Sequence, residues 1–238
     1  MKIVAALAAA ASLTFTLPAV AKSRSATAAL PRLPDTTEAI VTTEVRAAQK
    51  TDLFDRIVAK RLLKEREPAE AIAKVKKVCK IDPTTAIEDA LLAVTKDGEG
   101  GGFIALGGVD EPKAVACVVA LAKDDSGKNV RAEKVTSKAD GTIYKVTVEG
   151  GDEHFFGWLP DSILVVGSKP KDKAQLEGLL SGKGALSTRS KLAPRLSRLN
   201  PLAIFSAVMV KEQKVEGKTI TGLDATIDVK ARQVQVNA

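Results

Sequence analysis

The sequence predicts an α+β domain: a curved antiparallel β-sheet with helices packed on one face. Three observations predict it. The turn signals Ala139-Asp140-Gly141, Glu149-Gly150-Gly151-Asp152 and Leu159-Pro160-Asp161-Ser162 divide residues 128–167 into four short strands in succession. Hairpin connections of this kind pair strands antiparallel. Helical periods come in blocks, whereas a parallel sheet alternates helices with single strands. Strand patterns then return at Leu202–Val210, Thr219–Val229 and Arg232–Val236.

The chain of 238 residues begins with Lys2, continues uncharged from Ile3 to Leu17, and is broken by Pro18. Ala19-Val20-Ala21 then supplies the small-x-small site, so residues 1–21 read as a secretory signal peptide cleaved after Ala21. A membrane anchor needs about 20 predominantly apolar residues, usually with stop-transfer charge, and this run is shorter. The mature product is expected to be soluble, without a transmembrane span, in the periplasm or secreted. Losing residues 1–21 removes Lys2 and no acid, lowering the net charge from +7 to +6. Such a mild basic balance suits anionic surfaces and does not point to nucleic acid.

Residues 22–34 are small, polar and punctuated by proline, and read as a flexible leader before a single domain over 35–238. A strand is expected at Ala39–Val45. Thr51-Asp52 opens a helix with Leu53, Phe54, Ile57, Val58 and Leu62 at helical spacing. A second helix carries Pro68 in its first turn and Ile72, Val75 and Cys79 on one face. Ile87–Val94 and Phe103–Val109 read as strands joined by a mobile tip holding Gly98, Gly100, Gly101 and Gly102. Asp110 caps a helix with Pro112 in its first turn and a stripe of Ala114, Cys117, Val118 and Leu121. Further helices are expected at Asp172–Leu180 and Lys191–Leu199. Phe103–Gly107 and Ile163–Gly167 each end on glycine before a helix, at a constant offset of 60 residues. That pattern is either a duplicated hairpin-plus-helix unit or coincidence among common residues.

Cys79 and Cys117 are the only cysteines. In an oxidising compartment a disulfide between them would contribute about 4 kcal/mol; two separately buried thiols fit the spacing equally well. His154, the only histidine, alternates with Phe156 and Trp158 on one side of a strand. No second histidine completes a metal site, no G-x-S-x-G elbow or P-loop occurs, and adjacent acids such as Glu88-Asp89 point to opposite faces of a strand. No catalytic residue, cofactor or metal site is therefore expected, and the chain reads as a non-enzyme. Arg189, Lys191, Arg195 and Arg198 flank a leucine stripe and are candidates for contact with an anionic surface. Phe103, Phe155, Phe156 and Trp158 are candidate ligand-facing aromatics.

Leu33-Pro34-Asp35-Thr36, Cys79-Lys80-Ile81-Asp82-Pro83, Trp158-Leu159-Pro160-Asp161 into Leu164-Val165-Val166-Gly167, and Thr221-Gly222 before the late strand pair resemble an uncharacterised exported bacterial family. This is a domain of unknown function of Gram-negative secreted and lipid-anchored proteins. Its members commonly carry glycine where Lys80 stands. The resemblance implies a fold and an exported setting and transfers no active residues. The expected function is a non-catalytic binding or scaffolding protein of the envelope, with another envelope protein or an anionic surface as partner. A carrier of a hydrophobic ligand such as lipid is the first alternative, and a carboxylate-dependent hydrolase the second.

Overall fold

A computed structural model describes residues 23–52, 66–135, 140–151, 153–182, 184, 186, 190–196, 203–210, 213–215, 218–220, 222–228 and 233–237. Its centre is an open ten-stranded antiparallel sheet. In chain order the strands are β1 (Thr37–Thr43), β2 (Ile87–Thr95), β3 (Gly100–Leu106), β4 (Val130–Val135), β5 (Thr142–Val148), β6 (Glu153–Leu159), β7 (Ile163–Gly167), β8 (Phe205–Met209), β11 (Leu223–Asp228) and β12 (Gln233–Asn237). They lie side by side as β12-β11-β8-β1-β2-β3-β7-β6-β5-β4. A separate hairpin joins β9 (Gln213–Val215) to β10 (Lys218–Ile220), so the strand expected at Thr219–Val229 is two strands parted near Gly222. The described helices are α1 (Arg24–Ala29), α2 (Val45–Ala48), α3 (Arg66–Cys79), α4 (Pro83–Ala86), α5 (Glu111–Ser126), α6 (Lys173–Leu180) and α7 (Ala193–Leu196). The α+β class and the antiparallel sheet are as expected. The helix expected over Leu53–Leu62 lies outside the described residues.

Residues 23–34 are not a flexible leader. Ser23 accepts the Ala26 N–H and caps α1, and a single 3-10 turn, Leu30–Arg32, follows. Ala26, Ala29, Leu30 and Leu33 repeat at helical spacing and are 5% exposed or less. Alanines made this stripe read as low-complexity chain, yet their small size is what lets the helix lie close against the sheet. α1 contacts β2, β3 and β7, and α6 contacts β6 and β7. Between them and the sheet lies the main core of Leu91, Phe103, Ile143, Ile163, Val165, Leu176 and Leu180.

Helices also occupy the opposite face, contrary to the one-sided expectation. Strand alternation sends Trp158, Leu164 and Tyr144 away from the main core, into a smaller cluster with Ala86, Val109 and Ala114 of α5. Tyr144 stacks on Phe156 at a centroid distance of 5.2 Å, and its hydroxyl donates to Glu111 Oε1 of α5 at 2.7 Å. The helices after β3 and β7 thus depart to opposite faces. Phe103 and Ile163 do face the same side, but the suspected duplicated units are not equivalent in space.

Two turns explain local departures from the sequence reading. Gly100–Gly102 belong to β3, with Gly101 opposite both Ala93 and Gly167. Their pairing to both neighbours excludes a hairpin tip, and a Cβ at Gly101 would stand 2.5 Å from Leu179 Cδ1 of α6; of these glycines Gly98, at φ +75°, sits in the turn itself. Lys80, directly after α3, adopts φ +56°, a left-handed conformation that favours glycine. α5 begins as expected, with Asp110 Oδ1 accepting the Lys113 N–H at 2.9 Å.

Candidate binding surface

On the side of the sheet that α5 covers at one end, none of the long helices among the described residues covers the other end. Alternation along five neighbouring strands directs Leu223, Ala225 and Ile227 (β11), Phe205, Ala207 and Met209 (β8), Ala39, Val41 and Thr43 (β1), Ala90, Leu92 and Val94 (β2), and Gly102 and Ile104 (β3) to this side. None of these residues carries a charge. Leu92 is 53% exposed and Val94 44%, the two large hydrophobic side chains most open to solvent among the described residues. Gly102 keeps the middle flat: a Cβ there would come within 3.0 Å of Leu92 Cδ2 and 3.2 Å of Val166 Cγ2. An apolar surface left in water costs free energy roughly in proportion to its area, and contiguous patches of this kind mark contact sites.

The opposite side of the same strands is buried and holds polar groups in fixed pairs. Arg195 of α7 makes an ion pair with Asp224 of β11, whose side chain is 6% exposed. Arg195 is therefore committed to an internal carboxylate and is not a free contact for an anionic surface. Its place within an apparent amphipathic stretch concealed this, because the partner is 29 residues away. Lys191 is exposed; Arg189 and Arg198 lie outside the described residues.

The four aromatic candidates do not line one space. Phe103 is fully buried in the main core and Phe155 packs at its margin. Phe156 and Trp158 point the other way, toward α5. His154 pairs with Val146 across β5 and β6. A cleft of about 320 Å³ does open beside the main core, lined by Leu33, Pro34, Ala93, Gly101, Gln175 and Leu179 among others, and none of the four aromatics reaches it. Among the described residues no group of three or more His, Cys, Asp or Glu side chains is placed to hold a metal ion.

Cys79 and Cys117 are bonded, with sulfurs 1.99 Å apart and Cα atoms 4.8 Å apart. The bridge ties α3 to α5, helped by ion pairs from Lys74 to Asp124 at 3.1 Å and to Asp125. The hydrogen bonds that the Lys74 ammonium donates to Asp125 and Asp124 hold it above its ordinary range.

No family model and no curated protein matches the chain. Among solved structures it is similar to one described as "Structure of crystal form I of TP0453", with a TM-score of 0.46 and 9% sequence identity, over 83% of this chain and 72% of that one.

Proposed function

We propose that this chain is an exported, non-catalytic binding protein of the bacterial envelope, and that it holds its partner on the open end of the sheet. The observation that carries the reading is the uncharged face across β11, β8, β1, β2 and β3 with Leu92 and Val94 standing in solvent. A broad, flat aliphatic surface binds by excluding water and needs no reactive group. The signal-like first 21 residues and the disulfide favour an oxidising compartment. Among the described residues no helix is long and apolar enough to cross a membrane.

A photo-crosslinking amino acid placed at position 92 or 94, in cells that express the protein naturally, tests this directly. The reading expects one dominant protein adduct from either position and none from the exposed Lys128. Adducts to lipid alone would favour the carrier of a hydrophobic ligand. Equal labelling at position 128 would remove the open face as a binding surface.

A further inference from the structure

Glu44 and Asp89 face each other on the covered side of the sheet. β1 and β2 pair with Thr42 opposite Leu91 and Thr43 opposite Ala90. Carried one residue further, that register sets Glu44 opposite Asp89, and directly opposed residues have Cβ atoms about 4.5–5.5 Å apart. Like charges in this arrangement are destabilising. Asp89 is 4% exposed, and its Oδ1 accepts the backbone N–H of the fully buried Ser25 at 2.8 Å. Ser23, 5% exposed, caps α1 with its hydroxyl and also bonds the Glu44 side chain. The first turn of α1 is therefore seated on a pair of carboxyl groups.

Nearby cations among the described residues are engaged elsewhere. Arg24 bonds Glu88 Oε2 at 2.5 Å and the carbonyls of Leu106 and Asp161, and Arg46 bonds Glu88 Oε1 at 2.8 Å. Glu88 occupies the irregularity between Ile87 and Asp89, which turns it away from the pair. Glu44 thus meets a buried setting and a second carboxylate, with only a hydroxyl to favour its ionised form. Burial first, then Asp89, push its carboxyl up to about 7, with the Ser23 bond acting weakly the other way.

We propose that Glu44, set opposite Asp89, is a pH-operated latch on the N-terminal helix: a proton on Glu44 keeps α1 seated, and its loss releases the helix. α1 covers β2, β3 and β7, so release uncovers a second apolar surface on the side opposite the open face. A carboxyl that titrates near 7 when docked and at its ordinary 4.5 when released weakens docking by up to about 300-fold above pH 7. Partial exposure of Glu44 reduces this to about 10–100-fold.

Hydrogen exchange, corrected for the intrinsic effect of pH, reads the latch in the full mature protein. Protection of the α1 amides is expected to fall about 10–100-fold between pH 4.5 and 7 and to level off above 7, while α5 amides stay constant. Glu44→Gln retains a partner for Ser23 without the charge, and should leave α1 protection flat. A wild-type profile that is flat, or whose fall lies above pH 7, overturns the proposal, as does an undiminished pH response in Glu44→Gln. If that variant does not fold, the wild-type pH window alone decides.

Discussion

Replacing both Cys79 and Cys117 with alanine removes the covalent tie between α3 and α5, and the structure says where the loss is felt. The two residues are 38 apart in sequence. In the chain-entropy model a loop of that length gives about 13 cal/mol/K, or about 4 kcal/mol at 25 °C, of restriction on the unfolded chain. α3 has no fully buried side chain. Without the bridge it keeps half-buried apolar contacts and the screened surface pairs of Lys74 and Lys76. Helices held mainly by propensity and surface charge are marginal, so α3 should detach before the sheet unfolds. Urea unfolding followed by far-UV circular dichroism and by fluorescence separates the two events, because Trp158, the single tryptophan, is buried beneath α5. The two probes should coincide in wild type. In the double variant dichroism should begin to fall first, with a total stability loss of about 3–4 kcal/mol. Coincident transitions and a loss under about 1 kcal/mol would refute the reasoning.

Other perturbations follow from single contacts. Arg195→Ala leaves Asp224 buried without its cation and should cost about 3–5 kcal/mol by chemical denaturation, whereas the pair replacement Arg195→Met with Asp224→Leu should cost much less. Gly101→Val drives a side chain into Leu179 and should lower the unfolding midpoint by an amount equivalent to about 1–3 kcal/mol. Lys80→Gly relieves a left-handed backbone and should raise stability by about 1 kcal/mol; a loss would show that the Lys80 side chain itself matters. Leu92→Asp with Val94→Asp should change stability within about 0.5 kcal/mol while abolishing co-purification of the bound partner, and unfolding of that variant would mean the two side chains are structural.

Much of the fold is written in short-range chemistry. The turns around Asp140-Gly141, Gly150-Gly151 and Asp161-Ser162 delimit β4 to β7, and Asp110 with Pro112 marks the start of α5, because caps and turns are decided by neighbouring residues. What stayed hidden depends on residues far apart in the chain. The Ala-rich stripe of α1 becomes legible only against the sheet that buries it. The role of Arg195 depends on Asp224, and that of Gly101 on Leu179. Leu92 and Val94 look like ordinary strand residues until the order β11-β8-β1-β2-β3 shows that their side of the sheet is uncharged from strand to strand. Glu44 carries no signal at all in the sequence, since its character comes from the register that opposes it to Asp89.

Native mass spectrometry of the protein isolated gently from the envelope of its own cells puts the binding reading most directly at risk. The expected species is a chain beginning at Lys22, two hydrogens lighter than its reduced form, carrying a bound partner that the Leu92→Asp, Val94→Asp variant lacks. A partner-free species, or one whose partner is retained by that variant, would contradict it.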